Sequence, residues 1–126
     1  MRKNHNILIA DHESIVTTDL MDRLNKWGYN VFISDGDNTV TKDLIHKNNP
    51  DAVIIDDDYP VMEAGIKTAV EISQQHRVGI ILLCAWMNEE IERISADLDS
   101  FCCLSKPYKD KELQKSLKRI LKNQKN

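Results

Sequence analysis
The 126 residues are 41% hydrophobic and 29% charged, with four Gly and three Pro, a balance that supports one packed core and excludes collagen-like, low-complexity and disordered classes. The formal net charge of −3 hides an asymmetry: residues 1–105 hold nine Lys and Arg against eighteen Asp and Glu, whereas residues 106–126 hold eight against two. The longest uncharged apolar run, Val78 to Met87, is about half of what spans a bilayer, and the N-terminus leads into a strand-length run and not a signal sequence, so the expectation is one soluble, cytoplasmic domain over residues 1–126 with no membrane partner.

In chain order, apolar runs bounded by polar or turn residues fall at Ile7–Ala10, Val31–Ile33, Ala52–Ile55, Val78–Leu83 and Phe101–Leu104. Their Val, Ile and Leu character without in/out alternation predicts strands buried on both faces, as in a parallel sheet covered by helices. Between and after them, helical spacing recurs at Val16, Leu20, Leu24 and Trp27, then at Val40, Leu44 and Ile45, and at Ile66, Ala69 and Val70. It continues at Ile91, Ile94 and Leu98, and at Leu113, Leu117, Ile120 and Leu121. Five strands alternating with five helices predict an α/β fold, a flavodoxin-like doubly wound (βα)5 unit whose five-stranded parallel sheet has the order 2-1-3-4-5. The basic C-terminal segment lacks aromatic interleaving beyond Tyr108 and reads as the solvated face of the last helix, so no direct nucleic-acid binding is expected. Cys84, Cys102 and Cys103 fit neither a disulfide framework nor a zinc site and read as reduced thiols.

In an open sheet of this order the ligand site lies beyond the carboxyl ends of the strands, where the order reverses between strands 1 and 3. Strand 1 runs into Asp11-His12-Glu13, strand 3 into Asp56-Asp57-Asp58, strand 4 into Cys84-Ala85-Trp86 and strand 5 into Ser105-Lys106-Pro107. Neighbouring carboxylates repel unless a cation or shared protons offset them, and Asp oxygens suit Mg²⁺. Such a site accommodates phosphoryl transfer, with Asp56 as nucleophile at the strand terminus and Lys106 neutralising a phosphoryl oxygen. Helix N-capping is the plainer role for Asp11 and Asp56, but it leaves their shared position at the switch point and the facing Lys106 unexplained. His12 suits a borderline metal or a local hydrogen bond, and Glu13 either supplies a carboxylate or complements the helix dipole.

The chain resembles the response-regulator receiver domain of two-component signalling over essentially its whole length. Ile7-Leu8-Ile9-Ala10-Asp11 is similar to the family's first strand, and Pro50-Asp51-Ala52-Val53-Ile54-Ile55-Asp56 to the approach to its phosphorylatable Asp. Ile80-Ile81-Leu82-Leu83-Cys84-Ala85 is similar to the fourth strand and Ser105-Lys106-Pro107-Tyr108 to the Lys-Pro-aromatic motif with its cis peptide. Gly65-Ile66-Lys67-Thr68-Ala69 resembles the variant in receivers that accompany sensor kinases. The resemblance implies phosphorylation of Asp56 with Mg²⁺ in a pocket of Asp11, Asp56 and the backbone carbonyl of Asp58. It also implies a sensor histidine kinase or phosphotransfer protein as donor, and a signalling module, not an enzyme. Relay through the face of helix 4, strand 5 and helix 5 follows from it, with homodimerisation across that face.

Three departures from the pattern bear on function. His12 stands where the family usually has a second acid, which predicts weakened Mg²⁺ binding. Cys84 replaces the usual phosphoryl-contacting Ser or Thr and is a poorer donor. Cys103 replaces the aromatic switch residue, and Trp86, two positions beyond Cys84, falls where the family tunes self-hydrolysis or on a partner surface. Two further readings stand beside a phosphorylatable receiver. One is a pseudo-receiver, an interaction module with a degenerate pocket; the other is a haloacid-dehalogenase-type phosphatase built on Asp56-Asp57-Asp58-Tyr59, in which Asp11 has no role.

Overall fold
The computed structural model describes residues 5–11, 14–34, 38–56, 65–85, 89–97 and 100–122. Five strands, β1 (Asn6–Ala10), β2 (Asn30–Ser34), β3 (Ala52–Asp56), β4 (Gly79–Cys84) and β5 (Phe101–Ser105), alternate with helices α1 (Ser14–Lys26), α2 (Asn38–Asn48), α3 (Gly65–Gln75), α4 (Glu89–Asp97) and α5 (Asp110–Lys122). All pairings are parallel and the order is β2-β1-β3-β4-β5, the doubly wound arrangement expected from the alternation of apolar runs and helical periods. Among the described residues no helix is long and apolar enough to cross a membrane.

Alternate residues of each central strand feed two cores, one on either side of the sheet. Ile7, Ile9, Ala52, Ile54, Ile81 and Leu83 pack under Leu20 and Leu24 of α1 and Leu113, Leu117, Ile120 and Leu121 of α5. Leu8, Ala10, Val53, Ile55, Ile80 and Leu82 pack under Ile45 of α2, Ala69 and Ile72 of α3 and Ile91 of α4. Helices α1 and α5 therefore share one face, which brings the first and last helices of the chain together.

Local chemistry sets the helix ends. Gly28 takes φ +96° just after α1, a left-handed stop that costs a residue without Cβ nothing. Asn49 does the same after α2 at φ 46°, and Pro50 cannot continue the helix. At the start of α5, Glu112 accepts the Lys109 N–H at 2.8 Å while the Glu112 N–H donates to the Lys109 carbonyl at 3.0 Å, a reciprocal cap.

Three expectations change. The second strand is not buried on both faces: β2 lies at the sheet edge, with Asn30 exposed and Ile33 36% exposed, because only β1 flanks it. In α2, Val40 is 44% exposed, and the inward face is carried instead by Thr41 and Ile45. Strand 4 begins at Gly79, whose N–H donates to the Asp51 carbonyl at 3.1 Å, one residue later than the apolar run suggests. The side chain of Val16, and Leu98 altogether, lie outside the described residues.

Candidate functional site
Parallel strands carry their carboxyl ends to one edge of the sheet, and four of the residues singled out in the sequence arrive there. The β1–β3 ladder pairs Ala10 with Ile55, so the next residue on each strand is an acid, Asp11 on one and Asp56 on the other. Asp11 is 5% exposed, and its N–H donates to the Ser34 carbonyl of β2 at 3.3 Å. Behind it the hydroxyls of Ser34 and Thr41 hydrogen-bond each other at 2.8 Å, both buried. Nothing in the sequence marks that pair, since Ser and Thr at strand and helix ends are common caps.

The Asp56 side chain is 14% exposed, and its Oδ2 accepts a hydrogen bond from Lys106 Nζ at 2.9 Å. Lys106 reaches it from beyond β5, past the end of β4. Its backbone is fixed there by donation of its own N–H to the Cys84 carbonyl at 2.8 Å, and the Lys106–Pro107 peptide is cis. Cys84 closes β4 fully buried, with its thiol donating towards the Leu104 carbonyl at 3.6 Å and more distantly towards Leu82 at 4.0 Å. Cys103 is not part of this group: it sits partly buried on the α4 side of β5. His12, Asp58 and Trp86, together with Glu13 and Asp57, lie outside the described residues.

Two carboxylates on adjoining strand ends against one ammonium leave an excess of negative charge in a poorly solvated place. Hard oxygen donors on neighbouring strands fit Mg²⁺, which is commonly held by one or two carboxylates with water completing the octahedron. Among the described residues no three His, Cys, Asp or Glu side chains cluster closely enough to hold a metal by themselves; Asp11 and Asp56 are the two carboxylates that could share one with water.

A second polar cluster lies beside this edge and was not legible in the sequence. Arg23 of α1 is paired through Nη1 with Asp110 Oδ1 at the start of α5 and through Nη2 with Asp19 Oδ2 at 3.4 Å. Its guanidinium carbon stands 5.9 Å from the centre of the Tyr108 ring. Burial opposes the Arg23 charge, but the Asp110 hydrogen bond and the Tyr108 contact outweigh it and raise the pKa above the ordinary arginine value. Burial likewise pushes the Tyr108 phenol up, with Arg23 opposing only part of the rise.

Comparison with known proteins agrees with this architecture. A family model, the response regulator receiver domain, matches residues 7–118. The chain is 32% identical over 123 residues to ycf27 of Galdieria sulphuraria, described as a probable transcriptional regulator, covering 97% of this chain and 47% of that protein. It is 29% identical over 107 residues to the transcriptional regulatory protein PdtaR of Mycobacterium tuberculosis, covering 85% of this chain and 52% of that protein. It thus spans about half the length of the curated relatives it matches. The receiver domain of the Francisella response regulator 1452 superposes with a TM-score of 0.79 at 25% identity, over 97% of this chain and 100% of that one. With its acids and lysine at the strand ends and the family model spanning all five strands, the chain belongs to the response regulator receiver domains, a family of two-component signalling.

Proposed function
We propose that this receiver is phosphorylated on Asp56 by a sensor histidine kinase or a phosphotransfer protein. The observation that carries the reading is the 2.9 Å contact of Lys106 Nζ with Asp56 Oδ2 beside the buried Asp11. An Asp56 oxygen attacks phosphorus in line, the phosphorus–nitrogen bond of a phosphohistidine breaks with its electron pair staying on the imidazole nitrogen, and an aspartyl phosphate forms. Lys106 then exchanges part of its contact with the carboxylate for one with a phosphoryl oxygen, a charge-assisted bond that strengthens as charge moves outward. Asp11 and Asp56 would hold Mg²⁺, with the Asp58 carbonyl as the resemblance implies. The ion supplies charge neutralisation between carboxylate and incoming phosphoryl group. Cys84 would contact the phosphoryl group as a weak donor, since its thiol already faces the Leu104 carbonyl. A cytoplasmic setting is supported by three free cysteines.

The face of α4, β5 and α5 is the proposed relay and dimer surface, with Cys103 and Trp86 assigned to it. Exposed Glu89, Glu90 and Glu92 on α4 and exposed Lys111, Lys115, Lys118 and Lys122 on α5 flank β5. A second copy related by a two-fold axis would set acids against bases on both sides.

Incubation with a small phosphodonor and Mg²⁺ tests the reading by intact mass. Wild type gains about 80 Da, one phosphoryl group, and Asp56→Asn, which keeps the shape but lacks the nucleophile, gains none. Full labelling of Asp56→Asn would place the modification elsewhere. No adduct on wild type would leave an interaction module, and fast turnover of phosphomonoesters would mean a phosphatase.

A further inference from the structure
We propose that Arg23 is a positioning residue for Lys106, a tie that fastens the connection between β5 and α5 to helix α1 and so keeps the Lys106 ammonium on Asp56. The proposal rests on the functional reading above for its kinetic consequence, but its structural content stands independently.

The connection runs only from Lys106 to Lys109. Its first residue is fixed by the Lys106 N–H bond to the Cys84 carbonyl. Its far end is fixed by the reciprocal cap between Lys109 and Glu112. Arg23 holds the middle and the end together: its guanidinium stands by the Tyr108 ring and pairs with Asp110, 87 residues along the chain. Tyr108 itself is wedged against the core formed by α1 and α5.

The arginine is not simply solvated on the outer face of α1. Its side chain is 27% exposed, and its Nε is buried with no hydrogen-bond partner among the described residues. A long, rotamer-rich side chain drawn inward with a stranded donor has given up hydration and freedom for the contacts at its tip. Asp19, one turn back, lies 3.4 Å from Nη2 with its side chain 73% exposed, a solvent-screened contact that adds little to the tie.

A lysine ammonium on a flexible four-carbon stem holds a fixed place only if its backbone does. Releasing Tyr108 and Asp110 from α1 lets the connection drift far enough to part the ammonium from Asp56. For a group that must meet a phosphoryl oxygen in the transition state, such drift slows the reaction without touching the nucleophile.

The experiment compares full-chain wild type with Arg23→Gln, Arg23→Lys, the charge swap Arg23→Asp with Asp110→Arg, and the control Asp19→Asn. The first readout is the ¹H–¹⁵N resonance of the Lys106 ammonium, assigned by its loss in Lys106→Arg, which survives solvent exchange only while it is hydrogen-bonded. The second is the rate of adduct formation from a small phosphodonor with Mg²⁺. Wild type and Asp19→Asn are expected to show the protected signal. Arg23→Gln should lose it and form adduct roughly tenfold more slowly, and the swap should restore both in part. Arg23→Lys keeps the charge without the fork, should fall between, and covers the case in which Arg23→Gln does not fold. A Lys106 signal unchanged in Arg23→Gln and Arg23→Lys, or absent from wild type, overturns the proposal. Failure of wild type to form any adduct overturns the phosphorylation reading instead, and the ammonium signal still decides the tie.

Discussion

Gly79 at the start of β4 and Ile120 of α5 meet so closely that no side chain fits between them: a Cβ on Gly79 would stand 1.8 Å from Ile120 Cγ2 and 3.3 Å from Ile120 Cβ. Ile120 is branched at Cβ and holds one strongly preferred rotamer in a helix, so it cannot swing clear. Gly79→Ala should therefore push α5 off the sheet and destabilise the fold by about 1–3 kcal/mol, as overpacking does. Adding Ile120→Ala should recover part of the loss, because the new methyl then fills space the isoleucine vacates. Urea denaturation of the two variants checks this, and a Gly79→Ala midpoint equal to wild type would contradict it.

What the sequence disclosed follows from how local each signal is. Strands β1, β3 and β4 were legible because both their faces are buried, which writes uninterrupted apolar runs into the chain. Edge strand β2 reads the same way in Val31-Phe32-Ile33, yet which strand has one neighbour is a property of the sheet and not of the run. In α2 the apolar Val40 pointed to the core, whereas Thr41, satisfied by Ser34, takes the buried place. Asp11, Asp56 and Lys106 could be placed together because parallel strands send their ends to one edge. The Arg23–Asp110 pair could not, since two residues 87 apart on amphipathic helices leave no pattern. The direction of the Cys84 thiol depends in turn on the Leu104 carbonyl of another strand.

Alkaline titration offers a check on the Tyr108 environment. Burial raises its folded-state pKa above the usual phenol value near 10, and Tyr29 is raised by burial as well. Above pH ~10 the unfolded chain releases phenolic protons that the folded chain still holds, so stability falls as pH rises. The contribution is fully present below the unfolded value and is lost as pH climbs through the folded one. Arg23, itself raised, stays charged across this window. Tyr108→Phe should flatten the decline in denaturation midpoint above about pH 10, and Tyr29→Phe with Tyr108→Phe should flatten it further. A decline equally steep in all three proteins would mean that neither phenol is buried as described.

Removal of Lys106 separates charge balance from catalysis at the strand ends. Lys106→Met leaves the Asp11 and Asp56 carboxylates on adjoining strands without the ammonium that now lies 2.9 Å from Asp56. In Mg²⁺-free buffer the variant should be less stable than wild type by about 1–2 kcal/mol, below the value for a fully buried pair because the lysine side chain is 32% exposed. The same surplus of negative charge should bind Mg²⁺ more tightly, since the ion no longer enters against a neighbouring cation. Saturating Mg²⁺ should therefore raise the thermal midpoint of Lys106→Met more than that of wild type, because a ligand stabilises in proportion to the logarithm of its concentration over its dissociation constant. Phosphorylation should move the opposite way, slower despite the tighter metal, as the charge that meets the phosphoryl oxygen is gone. Thermal melts over a Mg²⁺ series with adduct rates in parallel decide the point: weaker Mg²⁺ stabilisation in Lys106→Met would show that the lysine helps to build the metal site and does not merely balance its charge.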